Sequence, residues 1–231
     1  MINRNLLQNV RAVMFDAVGT LIVPHQSVPL TYHDAAKQRG SRLTADEIAR
    51  RFRGAFRAQE ELDRQAGWVT DDSREYERWR TIVHQVLDDV NDVEECFQNL
   101  HAHFEKPAAW RVQDSATALI RAMKDRGKIV GLASNFDSRL RSVIAGLPEL
   151  ADLDPIVVSS EAGSRKPGRP FFAGVVAAAC VQPSEILFIG DDLENDHQGA
   201  LASGLQSILL GPHKGAIPDL PALLDALGLR E

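Results

Sequence analysis

Several residue types are scarce in this chain, and each scarcity argues against a class of protein. Only two cysteines, Cys96 and Cys180, occur in 231 residues, and they lie far apart. That count argues against a disulfide scaffold or a cysteine metal site and predicts two buried thiols in a reducing compartment. Basic residues are outnumbered, with 26 Lys and Arg against 32 Asp and Glu. This balance argues against a nucleic-acid partner, which would favour a basic face.

Long apolar runs are also missing. No stretch approaches the ~20 apolar residues that a membrane-spanning helix needs, and residues 1–15 lack the apolar core of a signal peptide. We therefore expect a soluble, cytoplasmic protein without a membrane partner. The length suits one large domain, or a core with an insertion.

What is present is an alternation of short Val- and Ile-rich runs with helical patterns. The runs are residues 12–15, 129–133, 156–159, 186–189 and 207–210. Continuous apolar runs of this length are typical of strands buried on both faces of a parallel sheet. Helices are predicted to begin at the caps Asp114 and Asp137 and to cover residues 171–180, 194–203 and 220–227. The alternation predicts an α/β fold with a doubly wound, Rossmann-like parallel sheet.

The segment of residues 24–109 interrupts this alternation. Its apolar residues follow the helix period, and Thr44 with Glu47 has the form of a capping box at a helix start. The pattern indicates roughly four helices and no strand. We therefore predict a core domain of residues 1–23 and 110–231, with residues 24–109 inserted as an α-helical cap domain.

Four short polar motifs follow predicted strands, at the edge where open α/β sheets bind ligands. They are DAVGTL at residues 16–21, Ser134-Asn135, Lys166-Pro167, and GDDLEND at residues 190–196. A hydroxyl and backbone N–H groups at a helix start can hold a phosphate. Four acidic side chains within residues 191–196 would repel one another without a cation, and aspartate oxygens suit Mg²⁺. Taken singly, each motif also fits a structural role, such as a turn, a cap or a solvated loop.

In their order and strand placement, the four motifs resemble motifs I to IV of the haloacid dehalogenase superfamily: D-x-x-x-T, S/T, K-P and G-D-x-x-x-x-D. The helical insertion is similar to the α-helical cap of subfamily I of that superfamily. The resemblance implies a Mg²⁺-dependent hydrolase that acts on a small phosphorylated molecule through an aspartyl-phosphate.

The resemblance also implies a role for individual residues. Asp16 would be the nucleophile and Lys166 its catalytic partner, since a carboxylate can form a covalent intermediate. The phosphoryl oxygens would be held by Ser134, Asn135, Lys166 and Thr20. Mg²⁺ would be bound by Asp16, the carbonyl of Val18, Asp191 and Asp196. Asp196 would act directly, through water, or by orienting Lys166.

Val18 departs from the family pattern. Phosphatases of this superfamily usually carry a second aspartate at this position, which protonates the leaving oxygen and later activates water. Valine can do neither, and loss of general acid–base help costs on the order of 10²–10⁴ in rate. Three explanations stay open: a good leaving group, another proton donor, or a weak or inactive relative that binds metal or a partner.

The DAVGTL segment also resembles the 2-haloacid dehalogenases, in which the same aspartate attacks carbon without a metal. Their fourth motif is S-x-N-x-x-D, whereas this chain has Gly-Asp-Asp at residues 190–192. A metal-free displacement gains nothing from uncompensated carboxylates beside its nucleophile, so phosphoryl transfer is favoured. These motifs predict neither the physiological substrate nor the oligomeric state.

Overall fold

The computed structural model describes residues 6–229 and contains a five-stranded parallel sheet flanked by helices. Its strands are β1 (Ala12–Phe15), β4 (Ile129–Ser134), β5 (Ile156–Val158), β6 (Ile186–Gly190) and β7 (Gln206–Leu209). Their order is β5-β4-β1-β6-β7, and every neighbouring pair is parallel. The predicted α/β class and doubly wound sheet are confirmed, with β1 at the centre.

The central strand shows why its sequence is apolar without alternation. Val13 and Phe15 pack into the hydrophobic cluster on one face of the sheet, and Ala12 and Met14 pack into the cluster on the other face. Successive side chains of a strand point to opposite faces, and all four here are 0% exposed. Helices therefore cover both faces of the sheet, as the doubly wound arrangement requires.

The helices between and after these strands differ from the prediction at two caps, at residues 159–162, where no helix was predicted, and in the segment after β6. They are α5 (Ala116–Lys124), α6 (Arg139–Ala145), α7 (Ser159–Ala162), α8 (Arg169–Ala179), α9 (Gly199–Ala202) and α10 (Leu220–Ala226). The N-caps of α5 and α6 are Ser115 and Ser138, so the predicted caps are wrong by one residue. The Asp137 carboxylate nevertheless accepts a hydrogen bond from the backbone N–H of Arg139, the first residue of α6, at 3.1 Å, and it also pairs with the Arg139 guanidinium at 2.7 Å. Before α9 the chain forms a π-helical segment, Leu193–Gln198.

A helical layer lies between β2 (Ile22–Pro24) and β3 (Trp110–Val112), which pair as an antiparallel ribbon. Its helices are α1 (Val28–Lys37), α2 (Ala45–Gln65), α3 (Asp72–Val86) and α4 (Val93–Phe104). They enclose a hydrophobic cluster of their own, and the capping box of Thr44 and Glu47 at the start of α2 is confirmed. The sequence did not predict the ribbon. The division into core and cap domains stays a prediction, and residues 1–5 and 230–231 of that core lie outside the described residues.

The two cysteines are free thiols in different surroundings. Cys96 is buried on α4, whereas Cys180 is exposed. The prediction of two buried thiols is therefore wrong for Cys180, which ends α8 at the surface with a left-handed backbone (φ 53°). Across residues 6–229, none of the helices combines the length and apolar character that crossing a bilayer requires.

Candidate active site

The four sequence motifs meet at the carboxyl ends of the central strands. Asp16 directly follows β1, Ser134 ends β4, and Asp191 directly follows β6. Lys166 comes from the loop between α7 and α8. Because β4 and β6 flank β1 on opposite sides, side chains leaving their ends approach Asp16 from both directions, as expected for ligand sites of open α/β sheets.

Asp16 is held by two donors that share one of its oxygens. The Ser134 hydroxyl donates to Oδ1 of Asp16 at 2.9 Å, and Nζ of Lys166 donates to the same atom at 2.6 Å. No residue of the range 6–229 donates a hydrogen bond to the other oxygen, Oδ2. Asp16 is 6% exposed and Lys166 is 2% exposed. The carboxylate is therefore fixed in orientation through one oxygen.

Asp196 orients Lys166. Its Oδ1 accepts from Nζ of Lys166 at 2.6 Å, and its Oδ2 accepts from the backbone N–H of Asp192 at 3.0 Å. Nζ of Lys166 also donates to the carbonyl of Ala133 at 3.2 Å. Since both oxygens of Asp196 are engaged, this geometry fits the third of the roles considered for it, positioning the lysine.

The carboxylates of Asp16, Asp191 and Asp196 form a cluster in which one oxygen of each lies within 4.8 Å of the others. Together with the ammonium of Lys166, three ionised carboxylates leave two negative charges, which one divalent cation would offset. Carboxylate oxygens are the donors that Mg²⁺ prefers. The donor set therefore fits magnesium, and Asp16 with Asp191 are the side chains best placed to hold it.

Burial makes these carboxylates costly to ionise. It raises the pKa of Asp196 to about 6, against the attraction of Lys166. Burial and repulsion from Asp196 raise the pKa of Asp191, and burial likewise raises the pKa of Asp16 although Lys166 opposes this. Burial alone would lower the pKa of Lys166, but Asp16 and Asp196 raise it above its usual value. The lysine is thus an ammonium, and a bound cation would favour ionised carboxylates.

Two glycines make room for the carboxylates, because neither has a side chain. Gly19 has a φ of +97°, and a Cβ there would lie 2.3 Å from Oδ2 of Asp191. At Gly190 a Cβ would lie 2.2 Å from Oδ2 of Asp196. Any larger residue at either position would displace a carboxylate, and at Gly19 it would also be strained. Glycine within the first and fourth motifs is therefore a steric requirement of the site.

Thr20 lies elsewhere than expected for a phosphate ligand. It is 0% exposed, and its hydroxyl donates to Oδ1 of Asp191 at 2.9 Å. A direct contact with phosphate does not fit this position, because the hydroxyl is buried and already engaged. Thr20 instead orients Asp191.

Asn135 and Val18 both line the open side of the site. The amide of Asn135 exchanges two hydrogen bonds with the backbone of Lys166, at 3.0 and 2.7 Å, and so fixes the lysine loop. Val18 is half-buried, and its side chain carries no proton to donate. Phosphate binding by the Asn135 backbone and metal binding by the Val18 carbonyl stay predictions.

Sequence reasoning missed an ionic cluster beside the lysine loop. Arg165, next to Lys166, pairs with Glu75 of α3, and its Nε lies 3.6 Å from a carboxylate oxygen of Asp63 of α2. The backbone N–H of Arg165 also donates to the backbone carbonyl of Trp68 at 2.8 Å. These contacts tie the loop that carries Lys166 to the helical layer. The only sequence signal was an arginine beside the lysine, which a solvated surface explains equally well.

The site opens into a cavity of about 270 Å³ between the sheet edge and the helical layer. Its walls come from all four inserted helices, from both ribbon strands and from the loop after Asn135. Sequence reasoning did not find these walls, because their residues, many of them apolar, are dispersed over more than one hundred positions. Nothing in their local pattern separates them from ordinary core residues.

Comparisons with known proteins agree with this arrangement. A family model for haloacid dehalogenase-like hydrolases matches residues 10–204. Haloacid dehalogenase-like hydrolase domain-containing protein 3 of Bos taurus is 27% identical, with 96% of this chain and 95% of that protein covered. Pyrimidine 5′-nucleotidase YjjG of Escherichia coli is 27% identical, with 68% of each chain covered.

Among solved structures, a dehalogenase with an intermediate complex superposes with a TM-score of 0.74 at 17% identity, covering 95% of this chain and 97% of that one. At this identity the likeness shows a shared fold and leaves the chemistry open. The family match, by contrast, spans all four motifs and most of the sheet. The chain belongs to the haloacid dehalogenase-like hydrolase family.

Proposed function

We propose that this hydrolase is a Mg²⁺-dependent phosphatase that passes the phosphoryl group of a small substrate to Asp16 and then to water. The observation that carries the proposal is the charge arrangement around Asp16: a fixed carboxylate, one buried ammonium and two further aspartates. Phosphoryl transfer needs positioning and neutralisation of charge above all. A displacement at carbon has no use for the additional aspartates.

In the first step the Asp16 carboxylate attacks phosphorus, and the bond from phosphorus to the leaving oxygen breaks. Lys166 and Ser134 orient the carboxylate through their hydrogen bonds to Oδ1, and the positive charge of Lys166 would stabilise the negative charge that develops on the phosphoryl oxygens. Mg²⁺, held through Asp16 and Asp191, would neutralise the phosphoryl group. Thr20 keeps Asp191 in the required orientation through the hydrogen bond at 2.9 Å.

In the second step water attacks the phosphorus of the aspartyl-phosphate, the bond from phosphorus to the Asp16 oxygen breaks, and inorganic phosphate leaves. Both steps usually rely on an acid–base group, and Val18 cannot serve. Among the cavity-lining carboxyl groups, Glu60 of α2 has a pKa that burial raises above its usual value. Its carboxylate accepts a hydrogen bond from Asn195 at 3.4 Å, close to the fourth motif. On its raised pKa and its place in the lining, we infer that Glu60 is a candidate for the alternative proton donor.

The test of the proposal is hydrolysis of 4-nitrophenyl phosphate and acetyl phosphate by the whole chain, with Mg²⁺ and with excess chelator. We expect turnover that depends on Mg²⁺, because the clustered aspartates need a cation to act together. Chloride release from 2-chloropropionate serves as the parallel assay. Metal-independent chloride release would establish the dehalogenase alternative. Absence of both reactions, despite Mg²⁺ binding, would establish an inactive relative.

The second test concerns the leaving group. Without an acid at Val18, departure of a basic alkoxide is slow, whereas aryl and acyl phosphates leave as weaker bases. We expect Val18→Asp to accelerate hydrolysis of alkyl phosphates more than that of aryl phosphates, by up to ~10²-fold. The measurement is kcat/KM for both ester types in wild type and variant.

Val18→Asn is the matched control for this test, because it has the size of aspartate and no acidic proton. Both variants must first unfold cooperatively and be stabilised by Mg²⁺ as the wild type is. Equal rates in the Asp and Asn variants would mean that another group already supplies the proton. In that case Glu60→Gln should slow alkyl ester cleavage in the wild-type background.

A further inference from the structure

The aromatic residues of this chain are concentrated around one cavity. The sequence has only 9 Phe, 3 Trp and 2 Tyr, and four Phe, two Trp and one Tyr of these line the cavity above Asp16. Half of all aromatic side chains therefore lie around one space of about 270 Å³. The remaining lining from the four helices is aliphatic at Val28, Val83 and Leu100 and polar at Glu60, Glu75 and His101.

One aromatic wall begins at the phosphate end of the site. Phe136 lies two residues after Ser134, and its ring centroid is 5.9 Å from that of Trp110. Trp110 is in turn 5.8 Å from Phe104. The indole N–H of Trp110 donates to the carbonyl of Phe104 at 3.0 Å. Its polar group is thus satisfied within the protein, which leaves the ring surface for apolar contact.

A second aromatic wall comes from α2 and α3. The ring centroids of Phe56 and Trp79 are 6.2 Å apart. Phe56, Trp79, Phe104 and Phe136 are all only half-buried, so these rings retain surface that packing has not covered. Rings at such separations favour edge-to-face or offset contacts, and a further ring placed between two walls can make the same contacts.

The volume limits what can occupy the cavity. Sites for drug-sized ligands typically have volumes of about 300–1,000 Å³, so this one is small and suits about one ring in addition to the phosphate. A sugar phosphate would place part of its hydroxyl groups against Val, Leu and Phe side chains, which cannot replace their hydrogen bonds with water. Of the polar lining, Glu75 is already paired with Arg165, and Glu60 accepts a hydrogen bond from Asn195. A planar apolar group loses no hydrogen bonds in the same place.

From these observations we propose that the substrate is a phosphate monoester whose phosphate is attached to a planar aromatic ring directly or through one methylene. This inference rests on the proposed phosphatase function and names its substrate class. For a directly attached ring Val18 supports the proposal independently, because phenol-type leaving groups depart without the proton that valine cannot give. An ester attached through a methylene leaves as a basic alkoxide, so for that group only recognition by the walls supports the proposal.

The experiment must separate recognition of the ring from the quality of the leaving group. Benzyl phosphate and propyl phosphate are both esters of primary alcohols, and only the first carries a ring. We expect kcat/KM for benzyl phosphate to exceed that for propyl phosphate by about 10-fold or more, since the ring buries more apolar surface. Uridine 5′-monophosphate is measured alongside and should be the poorer substrate.

Binding without turnover supplies a second readout. Benzylphosphonate and propylphosphonate lack the ester bond, and their affinity for the whole chain with Mg²⁺ can be measured by calorimetry and by quenching of tryptophan fluorescence. We expect benzylphosphonate to bind about 10-fold more tightly. Ring preference in binding but no ester hydrolysis would support recognition of a ring by the aromatic walls and overturn the phosphatase function. Hydrolysis without any ring preference would do the reverse.

The chain offers a matched pair of variants on one helix. Phe56 and Phe52 both lie on α2, are both half-buried and contact each other at a centroid distance of 5.9 Å. Only Phe56 lines the cavity. Phe56→Leu should therefore lose most of the benzyl preference, whereas Phe52→Leu should retain it. An equal loss in both variants would place the effect in helix packing and overturn the ring contact.

Discussion

Replacement of Asp16 by Asn is expected to lower the hydrolysis of an aryl phosphate by about 10⁴-fold or more, to the background rate, as removal of a nucleophile does in other enzymes. The amide has the shape of the carboxylate and keeps an oxygen that can accept from Ser134. It cannot attack phosphorus, because it carries no negative charge. The measurement is release of 4-nitrophenol with Mg²⁺ present.

A second measurement shows whether the loss comes from the covalent role. Fluoroberyllate combines with a carboxylate to mimic an aspartyl-phosphate, so it should bind the wild-type protein and fail to bind Asp16→Asn. Asp225→Asn, far along the chain on α10, serves as the control and should behave as wild type in both assays. Tight fluoroberyllate binding by the Asn variant, or residual turnover above one tenth, would contradict covalent catalysis by Asp16.

The sheet and the motif residues were predictable because their signals are local. A strand buried on both faces must be apolar at every position, as β1 is, and this run is visible in the sequence alone. Polar residues such as Asp16 and Asp191 directly after such strands must meet at the sheet edge, since parallel strands end together. The placement of Lys166 beside them followed from the resemblance of the four motifs to those of the family.

The cavity and the orientation of individual polar groups were not predictable in this way. Phe56, Trp79 and Phe136 come from separate segments, and only the tertiary fold decides that they line one space rather than a closed core. Thr20 matches the family motif, yet its hydroxyl is turned to Asp191 because a buried donor needs a nearby acceptor. Cys180 is exposed because it lies at the end of α8. The position of a helix end is difficult to predict from the local sequence pattern.

Replacement of Asp191 by Asn should change metal-free stability and metal-dependent activity in opposite directions. In the absence of metal, the carboxylate of Asp191 lies in a cluster with Asp16 and Asp196, and its raised pKa shows that ionisation is unfavourable there. A group whose pKa is raised on folding destabilises the folded state as pH rises through its ordinary value. At neutral pH the neutral amide should therefore increase the free energy of unfolding in chelator.

With Mg²⁺ the same variant should lose both stabilisation and turnover. A ligand at one hundred times its dissociation constant stabilises the native state by about 2.7 kcal/mol, and this increment should vanish when the charged ligand atom is gone. Turnover should fall by about 10³-fold, since the metal's neutralisation of charge contributes several kcal/mol to the transition state. Denaturant titrations with and without Mg²⁺, together with the 4-nitrophenyl phosphate assay, measure both effects.

Glu194→Gln is the matched control, because it removes an exposed carboxylate three residues away that does not line the cavity. It should leave the metal-free stability, the Mg²⁺ increment and the turnover unchanged.

The Asn side chain at position 191 has the volume of aspartate, and the Thr20 hydroxyl can still donate to its oxygen, so loss of shape does not account for the expected result. An Asp191→Asn protein that kept both its Mg²⁺ increment and its turnover would show that the cation is held elsewhere. If the variant were less stable than wild type in chelator, the Asp191 carboxylate would stabilise the folded protein even without metal. Repulsion among the three carboxylates would then not destabilise the metal-free protein.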